Sequence, residues 1–151
     1  MRQIDGTVDI SQKAPTLRRS VAESTLVAST DVVEAVRANG LPKKDPIATA
    51  RAAAMLAVKQ TPALIPHCHP VAITGITVEF ELKEDLIRVR CEVVSHDRTG
   101  PEIEALCGAS VAALTLYDVI KNVYCGARIE GVRLIEKDGG KSGHWVAEET
   151  D

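Results

Sequence analysis

Near its carboxyl end the chain reads Lys137-Asp138-Gly139-Gly140-Lys141-Ser142-Gly143, which puts pliable backbone N–H groups, two ammonium groups and a hydroxyl into one short stretch. A turn of that make-up suits a phosphate group. It is not a P-loop, because the Gly-x-x-x-x-Gly-Lys-Ser/Thr spacing is missing. A polar loop with no ligand is the competing reading. Asp118 and Lys121 stand three residues apart, and so are neighbours on one face if the segment is helical. On spacing alone this is a surface ion pair of little energetic weight. Leu114, Tyr117 and Ile120 place apolar groups around it, which predicts half-burial and a pair whose proton affinity its neighbours can tune.

His67-Cys68-His69 lies between Pro66 and Pro70. A His-x-His pair on extended chain can turn two imidazoles to one side, as metal ligands do. The remaining histidines are His96 and His144, so further ligands would have to be carboxylates. A general acid or a phosphate donor suits a histidine on a rigid loop better, with a purely structural histidine as the alternative. Glu102 and Glu104 open a long apolar run, where the helix dipole favours carboxylates whatever their function. Glu104 and Asp118 are fourteen residues apart. A continuous helix holds them roughly 21 Å from each other at about 1.5 Å per residue. One pocket in one chain cannot easily use both.

Composition narrows the classes. One Phe, one Trp and two Tyr leave no series of aromatic platforms for stacking bases, and a net charge of -3 attracts no polyanion. Nucleic acid is not an expected partner. The four cysteines, at 68, 91, 107 and 125, form no Cys-x-x-Cys pair and read as reduced thiols in a cytosol. The start, MRQIDGTVDIS, is charged at Arg2 and Asp5 and lacks the apolar run of a leader. No stretch reads as the roughly 20 apolar residues of a membrane span. The expectation is a soluble cytoplasmic protein, with residues 1–151 forming one domain and neither metal nor cofactor bound.

The elements that position these groups follow from periodicity. Pro15 to Asn39 reads as a Val- and Ala-rich helical region that stops at Asn39-Gly40. Asp45-Pro46 opens a second helix to about Gln60, with Ala52, Ala53, Ala54 and Ala57 allowing close approach. Thr61 to Pro70, with three prolines, reads as a stiff loop. Ile76, Val78, Phe80 and Leu82, then Ile87, Val89, Cys91 and Val93, alternate with charged or polar residues and predict a hairpin. Leu82 should face Ile87, and Phe80 should face Val89 on the buried side. Glu81 then meets Arg88, and Glu79 meets Arg90, on the wet side. Thr99-Gly100-Pro101 opens a long helix to about Asn122, and a strand near Ala127 to Glu136 and a polar tail follow. The order predicts an α+β domain with helices on one face of an antiparallel sheet. The other face is left for an oligomer to cover.

Five segments resemble a known family: Thr7-Val-Asp-Ile-Ser11, Ala48-Thr-Ala-Arg51, Leu64-Ile-Pro-His-Cys-His-Pro70, Thr99-Gly-Pro-Glu-Ile-Glu-Ala-Leu106 with Ser110-Val-Ala-Ala-Leu-Thr-Leu-Tyr-Asp118, and Lys137-Asp-Gly-Gly-Lys-Ser-Gly143. In this order they are similar to those of the cyclic pyranopterin monophosphate synthases, the molybdenum cofactor biosynthesis protein C family. The resemblance implies a ferredoxin-like fold and a homohexamer built as a trimer of dimers, with active sites between subunits. The reaction it implies is a lyase step. A 3′,8-cyclo-7,8-dihydroguanosine triphosphate rearranges to cyclic pyranopterin monophosphate and releases pyrophosphate.

Carried over by motif, Asp118 and Lys121 match the family's catalytic pair and Lys43 its loop lysine. His67, Cys68, His69, Ile103 and Glu104, with Glu102 beside them, match substrate-lining positions. Lys137 and Lys141 match the basic turn that would take phosphate. The chain has Lys44 where the family usually has Gly, His67 where it usually has Leu, and Pro101 and Ile103 where it usually has Val and Met. With both Lys43 and Lys44 present, either can reach the site. Two other classes stay open at this point: a non-catalytic nucleotide- or pterin-binding oligomer, and a metal-dependent hydrolase centred on His67 and His69.

Overall fold

A computed structural model describes residues 6–148. Its elements are β1 (Thr16–Val27), α1 (Thr30–Arg37), α2 (Pro46–Leu64), β2 (Ile73–Leu82), β3 (Leu86–Asp97), α3 (Glu102–Ile120), β4 (Arg128–Asp138) and β5 (Trp145–Val146). The strands form one antiparallel sheet in the order β2-β3-β1-β4-β5, and α2 and α3 pack together across one face of it. This is the α+β ferredoxin-like arrangement that the sequence predicts. Arg2 and Asp5, the charged start of the chain, lie outside the described residues.

The largest difference from expectation is β1. Thr16–Val27 is not the first part of a helix but the central strand, paired along its length with β3 and β4. Its alternation is concealed because two helix-facing positions, Ser20 and Ser24, are polar yet buried. Ser24 resolves the cost of burial by donating its hydroxyl to the Ala109 carbonyl of α3 at 2.7 Å. Ala22 and Leu26 complete that face. Arg19 and Glu23 point to the other, where Arg19 pairs with Glu92 and Glu136 and Glu23 with Arg133. The helical stop holds: Asn39 takes a left-handed φ of 53° just after α1, and Gly40 N–H bonds Ala35 O at 2.8 Å.

α2 starts after Asp45 with Pro46 in its first turn, but Asp45 has no side-chain cap bond. Its carboxylate instead accepts from Asn39 Nδ2 at 2.9 Å. The helix runs past Gln60 to Leu64 and contains Pro62, so the stiff loop begins later than its prolines suggest. A proline near the end of a helix removes one donor without breaking turns that follow. Pro101, not Thr99, occupies the N-cap of α3. The hairpin has the predicted register, with Leu82 opposite Ile87, Phe80 opposite Val89, Glu81 opposite Arg88 and Glu79 opposite Arg90. β5, inside the stretch read as a polar tail, is an addition.

Alanines dominate the helix–sheet contact: Ala50 and Ala54 of α2 and Ala105, Ala109 and Ala112 of α3 are buried against Ala22, Val89, Cys91 and Val93. Gly108 lets α3 settle closest, since a Cβ there would stand 2.5 Å from Cys91 Sγ and 2.8 Å from Val58 Cγ2. α3 has the length and mean hydropathy, 1.6, of a membrane span, which the sequence reading did not single out. Packing explains it. The helix is the apolar bar of this core, lying on β1, β3 and β4.

Candidate functional site

The sequence-predicted residues gather at the two ends of α3. At the C-terminal end Asp118 lies between two ammonium groups: Lys43 Nζ meets Oδ2 at 2.6 Å and Lys121 Nζ meets Oδ1 at 2.8 Å. Lys43 also donates to the Asp118 carbonyl at 3.1 Å. Lys44 turns away and donates to Asn39 O, so Lys43 is the loop lysine that arrives. Asp118 and Leu114 beside it are both on the exposed side of α3, so burial does not tune the carboxyl. Neighbouring charge does the tuning instead. Hydrogen bonds from Lys121 and then Lys43 hold the Asp118 carboxyl down at about 2, and the same contact raises Lys121.

The N-terminal end is dry. Glu104 is 1% exposed, and Cys68 Sγ donates to its Oε1 at 3.4 Å. Its Oε2 has no protein partner. Burial pushes the Glu104 carboxyl above its ordinary value, and burial followed by the nearby Glu104 charge pushes the Cys68 thiol up to about 12. Both shifts work against ionisation. Glu102, one turn position earlier, pairs with Lys137 of β4 at 3.3 Å, while Ile103 presents its side chain outward. His69 is half-buried and His67 exposed.

Lys141 sits beyond β4 on the rim of a cavity of about 550 Å³ that Lys13, Thr16, Arg18 and Ser142 also line. Arg18 escaped the sequence reading. Its guanidinium is braced by the carbonyls of Asp97 at 3.1 Å and Arg98 at 3.2 Å. The turn reaches Arg18 through Gly139 and Gly140, which take φ of 94 and 72°, and a Cβ on Gly139 would stand 2.2 Å from the Leu17 carbonyl oxygen. The missed signal was strand alternation: with β1 recognised, adjacent Arg18 and Arg19 must face opposite sides of the sheet. Asp9 of the Thr7–Ser11 segment was also unassigned, and it lines a second cavity of about 450 Å³ together with His69, Asp97 and Arg98. Arg51, from another motif, braces the sheet edge by donating to Val78 O at 3.2 Å over the Phe80 ring.

Asp9 and Asp97 share a cavity with His69, but among the described residues no set of three His, Cys, Asp or Glu ligand atoms closes on His67 or His69. Among the described residues the close grouping of such donors is Glu136, Asp138 and His144, and there Arg19 already supplies the cation to both carboxylates. The metal-hydrolase reading finds no ligand set on the His67–His69 loop.

The chemistry is thus divided. One end of α3 carries an exposed carboxylate between two lysines, while the other carries a buried carboxyl and a thiol, with Glu102 paired to Lys137 beside them. Comparison with known proteins agrees with the motifs. The MoaC family profile matches residues 7–140. A Mycobacterium tuberculosis protein named cyclic pyranopterin monophosphate synthase 2 is 49% identical over 139 residues, covering 92% of this chain and 83% of its own. Proteins named cyclic pyranopterin monophosphate synthase from Streptomyces avermitilis and Pelobacter propionicus are 46% and 45% identical, covering 91% and 94% of this chain and 81% and 90% of theirs. Matched over nearly all its length, with the Lys43–Asp118–Lys121 cluster and the basic turn in place, the chain belongs to the MoaC family.

Proposed function

We propose that the chain is a cyclic pyranopterin monophosphate synthase of molybdenum cofactor biosynthesis, taking 3′,8-cyclo-7,8-dihydroguanosine triphosphate to the pyranopterin with release of pyrophosphate. The observation that carries the residue-level reading is the Lys43–Asp118–Lys121 cluster. A ring rearrangement requires proton transfers between placed acids and bases. At neutral pH the cluster holds a carboxylate base and ammonium acids in mutual contact. A substrate phosphate that draws Lys43 off Oδ2 removes one of two cations and makes the carboxylate more basic. Lys137 and Lys141 supply fixed positive charge for the departing pyrophosphate. Cys68, Glu102, Ile103, Glu104, His67 and His69 line the ring end, where burial works against charge on Cys68 and Glu104.

A homohexamer built as a trimer of dimers, with pockets shared between chains, fits this division. The ends of α3 are too far apart for one pocket, and the helical side exposes Met55, Leu56, Leu64, Ile65 and Leu114, an apolar set suited to a second copy. The one sheet and its single core support reading residues 1–151 as one domain. A cytoplasmic location follows from the small phosphorylated substrate.

The test is direct. Purified protein incubated with the cyclic dihydro-GTP compound should yield the pyranopterin and equimolar pyrophosphate. An inert wild-type chain, or an Asp118→Asn variant with unimpaired turnover, would sink the assignment.

A further inference from the structure

The turn that carries Lys141 is closed by a contact outside the residues assigned above. β4 ends at Asp138 and β5 begins at Trp145, and between them Gly139, Gly140 and Gly143 take φ of 94, 72 and 61°. Glycines with that freedom do not by themselves hold one conformation. β5 is a short anchor, with two ladder pairs, Glu136 with Val146 and Lys137 with Trp145, followed by the Ala147 N–H bond to Ile135 O at 2.9 Å. At the mouth of the turn, however, His144 Nδ1 is in direct hydrogen-bond contact with Asp138 Oδ1. Asp138 Oδ2 accepts from Arg19 Nη1 at 3.3 Å, and Arg19 also bonds Glu136 at 3.0 Å and Glu92 at 2.7 Å. A line of charged hydrogen bonds therefore runs from central strand β1 to the base of the turn.

We propose that His144 is a positioning residue for anion binding: its imidazole, latched on Asp138, holds the 139–143 turn so that Lys141 faces Arg18 across their shared cavity. This rests on the reading of that turn as the phosphate end of the site. The charged groups around the latch are Asp138 and Glu136 of β4, Arg19 of β1, and Glu92 and Arg90 of β3, the last 3.8 Å from Glu136. Asp138 stays ionised, because its hydrogen bond from His144 and then the one from Arg19 keep its carboxyl below the ordinary range. The imidazole N–H···carboxylate contact has an ionised acceptor, the stronger kind of hydrogen bond.

Inorganic pyrophosphate is the probe, titrated calorimetrically into the full chain. Trp145, the single tryptophan, stands next to the latch and reports it by fluorescence. His144→Ala should weaken pyrophosphate binding about fivefold, the scale of one partly exposed charge-assisted hydrogen bond. His144→Asn, which still places a donor near Asp138 Oδ1, should recover much of the loss. In turnover, KM should rise with kcat nearly unchanged. Wild-type affinity in His144→Ala, or no recovery in His144→Asn, overturns the latch while leaving the synthase reading intact. Undiminished pyrophosphate binding in Lys141→Ala overturns the placement of phosphate at the turn, and the latch with it. A chain that binds pyrophosphate with the latch behaviour described but does not convert the cyclic substrate keeps the latch and loses the synthase reading.

Discussion

The two ends of α3 carry carboxylates driven in opposite directions. Asp118 is exposed and flanked by Lys43 and Lys121, so its carboxyl is held down at about 2. Glu104 is buried beside a thiol and a second glutamate, so its carboxyl is pushed up. Charge governs the first and dehydration the second. Carboxyl groups pushed apart by environment mark different tasks within one site. In the proposed function the charged end exchanges protons and the dry end recognises the substrate ring. Gly108, midway along the helix, lets the bar between them lie directly on the sheet.

The comparison can be broken first at the charged end. Asp118→Asn and Lys121→Ala should each cut turnover by roughly 10²–10⁴, the usual contribution of a placed acid or base. Their size by gel filtration should match wild type, since both side chains are exposed. Near-normal rates in either variant would remove that residue from the chemistry. The next test addresses the distance between the ends. Inactive Glu104→Ala and inactive Asp118→Asn proteins, mixed and allowed to exchange subunits, should regain measurable activity, because some pockets then draw an intact end from each chain. No recovery after exchange proven by mass spectrometry would argue that one chain supplies both.

A third test strains the bar. Gly108→Val should cost about 1–3 kcal/mol of stability, the usual penalty for overpacking a tight core. Denaturant melts would read it, and an unchanged midpoint would mean α3 sits less closely than the contacts with Cys91 and Val58 indicate. The smallest effect probes the dry end. The folded Glu104 carboxyl lies above its ordinary value of 4.5, so the unfolded chain gives up this proton first as pH rises. Its contribution is complete below that ordinary value and is lost as pH climbs through the folded one. Wild type should therefore lose stability relative to Glu104→Gln as pH rises above 4.5. A pH-independent difference would mean that Glu104 is not dehydrated.

Local rules carried much of this protein into view. Strict alternation set the β2–β3 register to the residue, since a one-residue slip would turn Phe80 and Val89 out and Glu79 and Arg90 in. Asn39-Gly40 and Asp45-Pro46 marked a helix end and a helix start through their own backbone preferences. The five motifs carried the family and the residues proposed for its site, because chemistry constrains residue type more tightly than packing does. Other features were decided only when distant segments met. Thr16–Val27 became a strand because β3 and β4 flank it, while its buried serines, one satisfied by a carbonyl on α3, disguised the pattern. Lys43 rather than Lys44 reached Asp118 because the left-handed Asn39 and Asp45 bend the loop and give Lys44 a carbonyl of its own. Arg18 joined the basic turn through a close approach that Gly139 and Gly140 permit. Glu104 and Asp118 are identical in kind to a reader of sequence, and only burial at one end and two lysines at the other made them different acids.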